Sequence, residues 1–229
     1  EFRRVLFRSR AGNEPAAKAS LNRAQELGLW LTLPAAATAI SIPETLTRAL
    51  FEHGAFSESD AQATAAALTA YAVGLPAFVL TKTLVPAFFA REDTKAPAKI
   101  AAFSVGMNII LGLILMWPLG HVGLALATTC ASWFQTIWLG KILMQKGWFS
   151  PSRDMIIRIG GMLFASMAMA ITIQFATPFV LEYSGLIRLF ATVGLCVAGT
   201  FIYLMLAHVI GVARIDVAIA EFRGRAVKS

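Results

Sequence analysis

Charge is scarce in this chain. Lys, Arg, Asp and Glu make up 14% of its 229 residues, against roughly 25% in ordinary soluble domains. That leaves too little polar material to cover a soluble surface. The three histidines (His53, His121 and His208) are scattered, and the two cysteines, Cys130 and Cys196, both sit inside apolar stretches. Such spacing offers neither a metal site nor a disulfide framework, so no metal and no cofactor is expected. The apolar stretches also lack a Gly-rich phosphate loop, a nucleophile–base set and paired carboxylates, so nothing in them points to an enzyme.

Hydrophobic residues, by contrast, reach 57%, and the mean hydropathy is +0.67. Between Gly28 and Gly211 they fall into blocks of about twenty residues, the length a helix needs to cross ~30 Å of hydrocarbon at ~1.5 Å per residue. The expected fold is an all-α integral membrane protein of six transmembrane helices. The net charge of +7 and pI near 9.9 do not indicate nucleic acid, because the basic residues flank the blocks instead of forming a phosphate-binding face.

Residues 1–10 read as a translated sequencing-adapter scar, carried by the string Glu1-Phe2-Arg3-Arg4-Val5-Leu6-Phe7-Arg8-Ser9. The expectation is then a C-terminal piece of a longer protein, and such scars are left out of fold reasoning. Residues 11–27, with Leu21, Ala24 and Leu27 among Lys18, Arg23 and Glu26, suit an amphipathic helix on the cytoplasmic surface. Four blocks follow within 28–145: Gly28–Phe51, Gln62–Ala90, Ile100–Leu119 and Val122–Met144, the last two joined only by Gly120-His121 as a hairpin. A basic loop at 146–158 precedes two terminal blocks within 159–212, and residues 213–229 form a basic tail. Basic residues occupy alternate gaps, so the positive-inside rule places both termini in the cytoplasm. Trp30, Trp138 and Trp148 mark that interface, while Trp117 and Tyr183 mark the other.

The second block carries the candidate chemistry. Pro76 and Pro86 lack an N–H and free the carbonyls of Ala72 and Lys82, so each is a candidate helix break of the kind that lines transporter paths; the competing reading is a packing kink. Lys82 lies within the apolar block, where an ionisable residue marks function by default, although a lysine at that depth also snorkels. Facing a cavity, its ammonium suits an anionic group such as a pyrophosphate. Arg91, Lys95 and Lys99 read as a substrate-path rim or as orientation signals and headgroup contacts. Asn108 is a buried amide that either bonds a neighbouring helix or ligates an ion.

Several strings resemble a known family. These are Leu31-Thr32-Leu33-Pro34, the run from Ala49 through Phe56, the run from Ala70 through Pro76, and above all Lys82-Thr83-Leu84-Val85-Pro86-Ala87-Phe88-Phe89-Ala90-Arg91-Glu92-Asp93-Thr94-Lys95-Ala96-Pro97. They are similar to the C-terminal half of the MurJ (MviN) lipid II flippases, within the multidrug/oligosaccharidyl-lipid/polysaccharide exporter superfamily. The resemblance implies the C-terminal part of a fourteen-helix, two-lobe transporter in the bacterial inner membrane, with its N-terminal half missing here. It implies alternating access that carries lipid II, an undecaprenyl-pyrophosphate-linked precursor, outward, with the last two helices forming a groove for the lipid tail. Some members bind sodium through an Asn, an Asp and a Thr. Asn108 and Thr128 match, but the acidic position reads Gly112, and a cation site lacking that carboxylate is weak. A polysaccharide or drug exporter of the same superfamily, a membrane transferase, and a non-transporting scaffold are the alternatives.

Overall fold

The computed structural model describes residues 14–51, 57–183 and 185–211. Residues 1–10, the tail at 213–229 and positions 52–56 of the Ala49–Phe56 string lie outside them. Among the described residues the backbone forms seven helices and no strand: α1 (Glu14–Ser41), α2 (Pro43–Phe51), α3 (Glu58–Phe89), α4 (Lys95–Leu119), α5 (His121–Gln145), α6 (Arg153–Leu181) and α7 (Gly185–Val209). Helices are the natural answer to this composition, since hydrocarbon offers no partner for an unpaired N–H or C=O. The chain is a multi-pass membrane protein. Helices α3 to α7 are each long and apolar enough to cross a bilayer.

The N-terminal region differs from expectation. Residues 14–27 are not a separate surface helix but the first half of α1, with Ala17, Leu21, Ala24 and Gln25 buried. The expected block Gly28–Phe51 is in turn two helices, with an elbow at Ile42 bridged by Ile42 N–H to the Thr38 carbonyl and Leu46 N–H to the Ile42 carbonyl, both 3.1 Å. The charged first half of α1 leaves only Leu27–Ser41 uncharged, a stretch rising ~22 Å at 1.5 Å per residue, short of the ~30 Å core.

Local signals explain the other boundaries. Ser57 caps α3 through a reciprocal pair with Asp60, and the Ser152 hydroxyl accepts the Met155 N–H at 3.1 Å to start α6. Gly120, at φ 55°, ends α4, and α5 begins at the next residue. Small residues then let the helices approach closely. A Cβ added at Gly123 would sit 2.2 Å from the Leu115 carbonyl oxygen, one at Gly74 2.7 Å from the Thr129 hydroxyl, and one at Gly199 2.3 Å from Ile173.

Polar contacts sort the connections to two ends. The Arg91–Glu14 pair (2.7 Å), the Asn22 amide to Ser150 carbonyl bond (3.0 Å) and the Arg158–Glu26 pair (3.0 Å) gather the start of α1 with the α3–α4 and α5–α6 loops. At the opposite end Arg48 meets Glu58 at 2.6 Å, and a His121 ring nitrogen lies 3.1 Å from the Ala63 carbonyl. The basic loops therefore share one end of the bundle, as the alternation of charge requires.

Candidate substrate path and lipid groove

Neither proline breaks α3, which runs unbroken through Pro76 and Pro86. Around Pro76 stands a ladder of donors on α5. The Thr129 hydroxyl donates to the Ala70 carbonyl (2.7 Å), the Trp133 indole N–H to the Val73 carbonyl (3.0 Å), and the Thr136 hydroxyl to the Ala77 carbonyl (2.9 Å). Val73 lies three residues before Pro76, in the turn where a proline disturbs the helix ladder. Neighbouring side chains thus brace the backbone on either side of the Ala72 carbonyl that Pro76 frees. At Pro34 in α1 the freed carbonyl itself is met: that of Trp30 accepts the Tyr203 hydroxyl from α7 at 2.9 Å.

Lys82 is exposed on α3, and no hydrogen bond or ion pair joins its ammonium to another described residue. It lies seven residues before the last residue of α3, or ~10 Å at 1.5 Å per residue. Such a cation, flanked by apolar turns and lacking an acid, is available to an anion or to headgroups.

Arg91 sits differently. Glu92 adopts φ 60° and ends α3, with the Asp93 N–H returning to the Phe88 carbonyl at 3.1 Å. The turn buries the Arg91 side chain to 8% exposure. Its guanidinium donates to Glu14 Oε2 (2.7 Å) and the Ala87 carbonyl (3.1 Å), and stacks 5.0 Å from the Trp148 ring. Lys146 lies over the same ring at 4.5 Å and pairs with Asp93 at 2.5 Å. Asp93 also accepts the Ala96 N–H at 3.1 Å. Hydrogen bonds from Lys146 and from that backbone amide hold its carboxyl below the usual carboxylate range. The arrangement is a clamp joining α1, the α3–α4 turn and the α5–α6 loop.

Lys95 is exposed at the start of α4. Asn108 lies thirteen residues further along, ~20 Å at 1.5 Å per residue, where its amide oxygen accepts the Thr128 hydroxyl at 3.3 Å. The structure therefore joins Asn108 to Thr128 but does not gather Lys82, Arg91, Lys95 and Asn108 at one point. Gly112, at the position the resemblance reserves for an acid, is buried; a Cβ there would lie 3.3 Å from Leu124.

A second feature was hidden in the sequence because α2 was read as the end of a longer span. An apolar groove of 450 Å³ separates α2 from α7, lined by Leu46, Leu50, Val193, Cys196, Val197 and Phe201. A further 310 Å³ between α1 and α7, reaching Leu31, Pro34 and Tyr203, shares Leu46, Cys196, Thr200 and Leu204 with it. Both cavities are walled by α7 on one side and by the α1–α2 elbow on the other, and α6, the other terminal helix, lines neither.

Comparison with known proteins agrees with this architecture. The profile of the family described as Lipid II flippase MurJ matches residues 7–195. A probable lipid II flippase MurJ of Rhizobium meliloti (strain 1021) is 36% identical over 212 residues, covering 90% of this chain and 40% of that protein. One from Rickettsia prowazekii (strain Madrid E) is 43% identical over 113 residues, 49% of this chain and 22% of the relative. A solved structure, lipid II flippase MurJ in an inward closed conformation, aligns with a TM-score of 0.71 and 25% identity, covering 90% of this chain and 41% of the other. The chain therefore spans less than half the length of these relatives, and it belongs to the lipid II flippase MurJ family.

Proposed function

We propose that the complete gene product is a transporter, not an enzyme, which moves lipid II from the cytoplasmic to the outer leaflet of the bacterial inner membrane by alternating access. In this reading the chain supplies the C-terminal part of the second lobe, both its termini are cytoplasmic, and the rest of the transporter is supplied by sequence outside this chain. The observation that carries the reading is the family match over residues 7–195.

Two features of the bundle supply what a lipid-linked anion needs. The groove between α2 and α7 suits a polyprenyl tail, whose burial stabilises by about 0.8 kcal/mol per CH₂. Lys82, a cation within an apolar helix, suits the pyrophosphate at the head of that tail. Lys95 stands at the basic end, within reach of headgroups in the cytoplasmic leaflet. Asn108 belongs to the helix-packing layer through Thr128. Moving the charged head along a polar lining avoids the cost of carrying it bare through hydrocarbon.

The test is Lys82→Ala in the complete gene product, with precursor translocation and membrane abundance measured on the same cells. The expected outcome is a translocation loss of tenfold or more with abundance kept within about twofold, since ~1.4 kcal/mol corresponds to a factor of ten. Equal losses in both would overturn the role of Lys82. Purified protein that moves an unrelated polysaccharide lipid or drug in preference to lipid II would overturn the substrate.

A further inference from the structure

On the outer side of the α4–α5 hairpin lies an apolar groove of 540 Å³, formed along Phe103, Gly106, Met107 and Ile110 of α4 and walled by Phe134 of α5. The space beside Gly106 is open: a Cβ built there meets nothing within 4 Å. Trp138 lies against the two phenylalanines, its ring centroid 5.5 Å from that of Phe103 and 5.2 Å from that of Phe134.

Beyond these rings the character changes. Lys99 stands one turn before Phe103 on α4, Lys95 one turn before that, and Lys141 one turn after Trp138 on α5. All three are exposed, and none of their ammonium groups has a hydrogen bond or ion pair to another described residue. Arg48, Arg91, Lys146 and Arg158, by contrast, each hold an acid at 2.5 to 3.0 Å. Because a helical side chain leans toward its own N-terminus, Lys141 leans back along α5 toward Trp138 and the groove.

The dimensions fit one leaflet. From Lys99 to Ile110, α4 rises ~17 Å at 1.5 Å per residue, about half of the ~30 Å hydrocarbon core. A headgroup at the lysines would place an acyl chain along the groove to the bilayer midplane. The three uncompensated cations at one end select an anionic occupant, which the surrounding leaflet supplies in a form already oriented for this slot.

We propose that the Phe103–Gly106–Phe134 groove is a binding site for an anionic phospholipid, its acyl chain along α4 and its phosphate between Lys99 and Lys141. This site lies on different helices from the α2–α7 groove and does not depend on the transported substrate.

The experiment uses the complete gene product in nanodiscs of phosphatidylcholine with a rising fraction of phosphatidylglycerol, with retained lipid counted by native mass spectrometry. Wild type is expected to retain phosphatidylglycerol over phosphatidylcholine. Lys99→Gln with Lys141→Gln should weaken that retention about thirtyfold, the factor for ~1 kcal/mol per basic residue at a membrane surface. Gly106→Phe should abolish it with the lysines intact, while an unchanged thermal midpoint in each variant reports an intact fold. Unchanged retention in both variants, equal retention of phosphatidylcholine, or a photo-crosslinker at position 106 that labels another part of the polypeptide in place of lipid would each overturn the proposal.

Discussion

Replacing Arg91 separates a clamp from a rim of the transport path. Its guanidinium is almost fully buried, stacks on Trp148 and donates to the Ala87 carbonyl, while its acid partner Glu14 remains 46% exposed. A desolvated cation–π contact is worth about 1–2 kcal/mol, and a hydrogen bond from a charged donor about 1.5–3 kcal/mol. The pair with half-exposed Glu14 adds ~1 kcal/mol or less after screening by water. These contributions overlap, so Arg91→Ala should cost about 3 kcal/mol and Glu14→Gln under ~1 kcal/mol. For a unit of 150–250 residues, at ~2–4 °C per kcal/mol, the first lowers the apparent unfolding temperature by about 6–12 °C and the second by less than about 4 °C. The assay is thermal loss of the monodisperse peak of the detergent-solubilised complete protein, with Trp148→Leu alone and combined with Arg91→Ala. In that cycle the double variant should lose less than the sum of the singles, because the stacking energy is counted twice. If Arg91→Ala left the unfolding temperature unchanged while translocation stopped, the guanidinium would belong to the substrate path and the clamp argument would fail.

Three further outcomes follow from the packing and the charges. Gly123→Ala forces a methyl to 2.2 Å from the Leu115 carbonyl oxygen, and since backbone must give way, a loss near the upper end of the ~1–3 kcal/mol range for overpacking is expected; a variant as stable as wild type would contradict the hairpin geometry. Trp133→Phe removes the donor to the Val73 carbonyl and should cost about 1 kcal/mol, read as a lower unfolding temperature; no loss would mean the Pro76 turn is satisfied by other donors. Because the Asp93 carboxyl is held below its ordinary value of 3.8, its contribution is complete above that pH and disappears as acidification passes through the lower folded value. The stability gap between wild type and Asp93→Asn should therefore be constant above about pH 5 and close below pH 3.8, and a gap that widened on acidification would refute the pairing with Lys146.

The spans α3 to α7 were legible because length and apolarity alone decide whether a helix can live in hydrocarbon. The expected Val122–Met144 block, for instance, became His121–Gln145, and Gly120 supplied the turn that the sequence announced. The course of α1 was not legible. Pro34 and the charges at Lys18, Arg23 and Glu26 argue for separate pieces, and only the distant Tyr203 hydroxyl reveals how the carbonyl freed by Pro34 is satisfied. The same blindness applied to Pro76, where only the fold sets Thr129, Trp133 and Thr136 beside α3. Their spacing of four and three residues along one helix face was the available clue. At the candidate site, Lys82 stood out because charge inside an apolar run is visible without a fold. The burial of Arg91 under Trp148 was not visible, since the partners Glu14 and Trp148 are remote in sequence. The Asn108–Thr128 contact was foreshadowed only through the family resemblance.

The elbow at Ile42 has a mechanical consequence. Helices α6 and α7 pack on the rest of the bundle chiefly through α1 and α2, so the terminal pair hangs from one bent strut. Whatever fills or leaves the cleft beside Leu46 pushes on the short arm of that strut. Its long arm runs back to Glu14 and the Trp148 stack at the far face of the bundle. If a greasy chain occupies that cleft as proposed, it has a lever by which its presence would be felt across the thickness of the membrane.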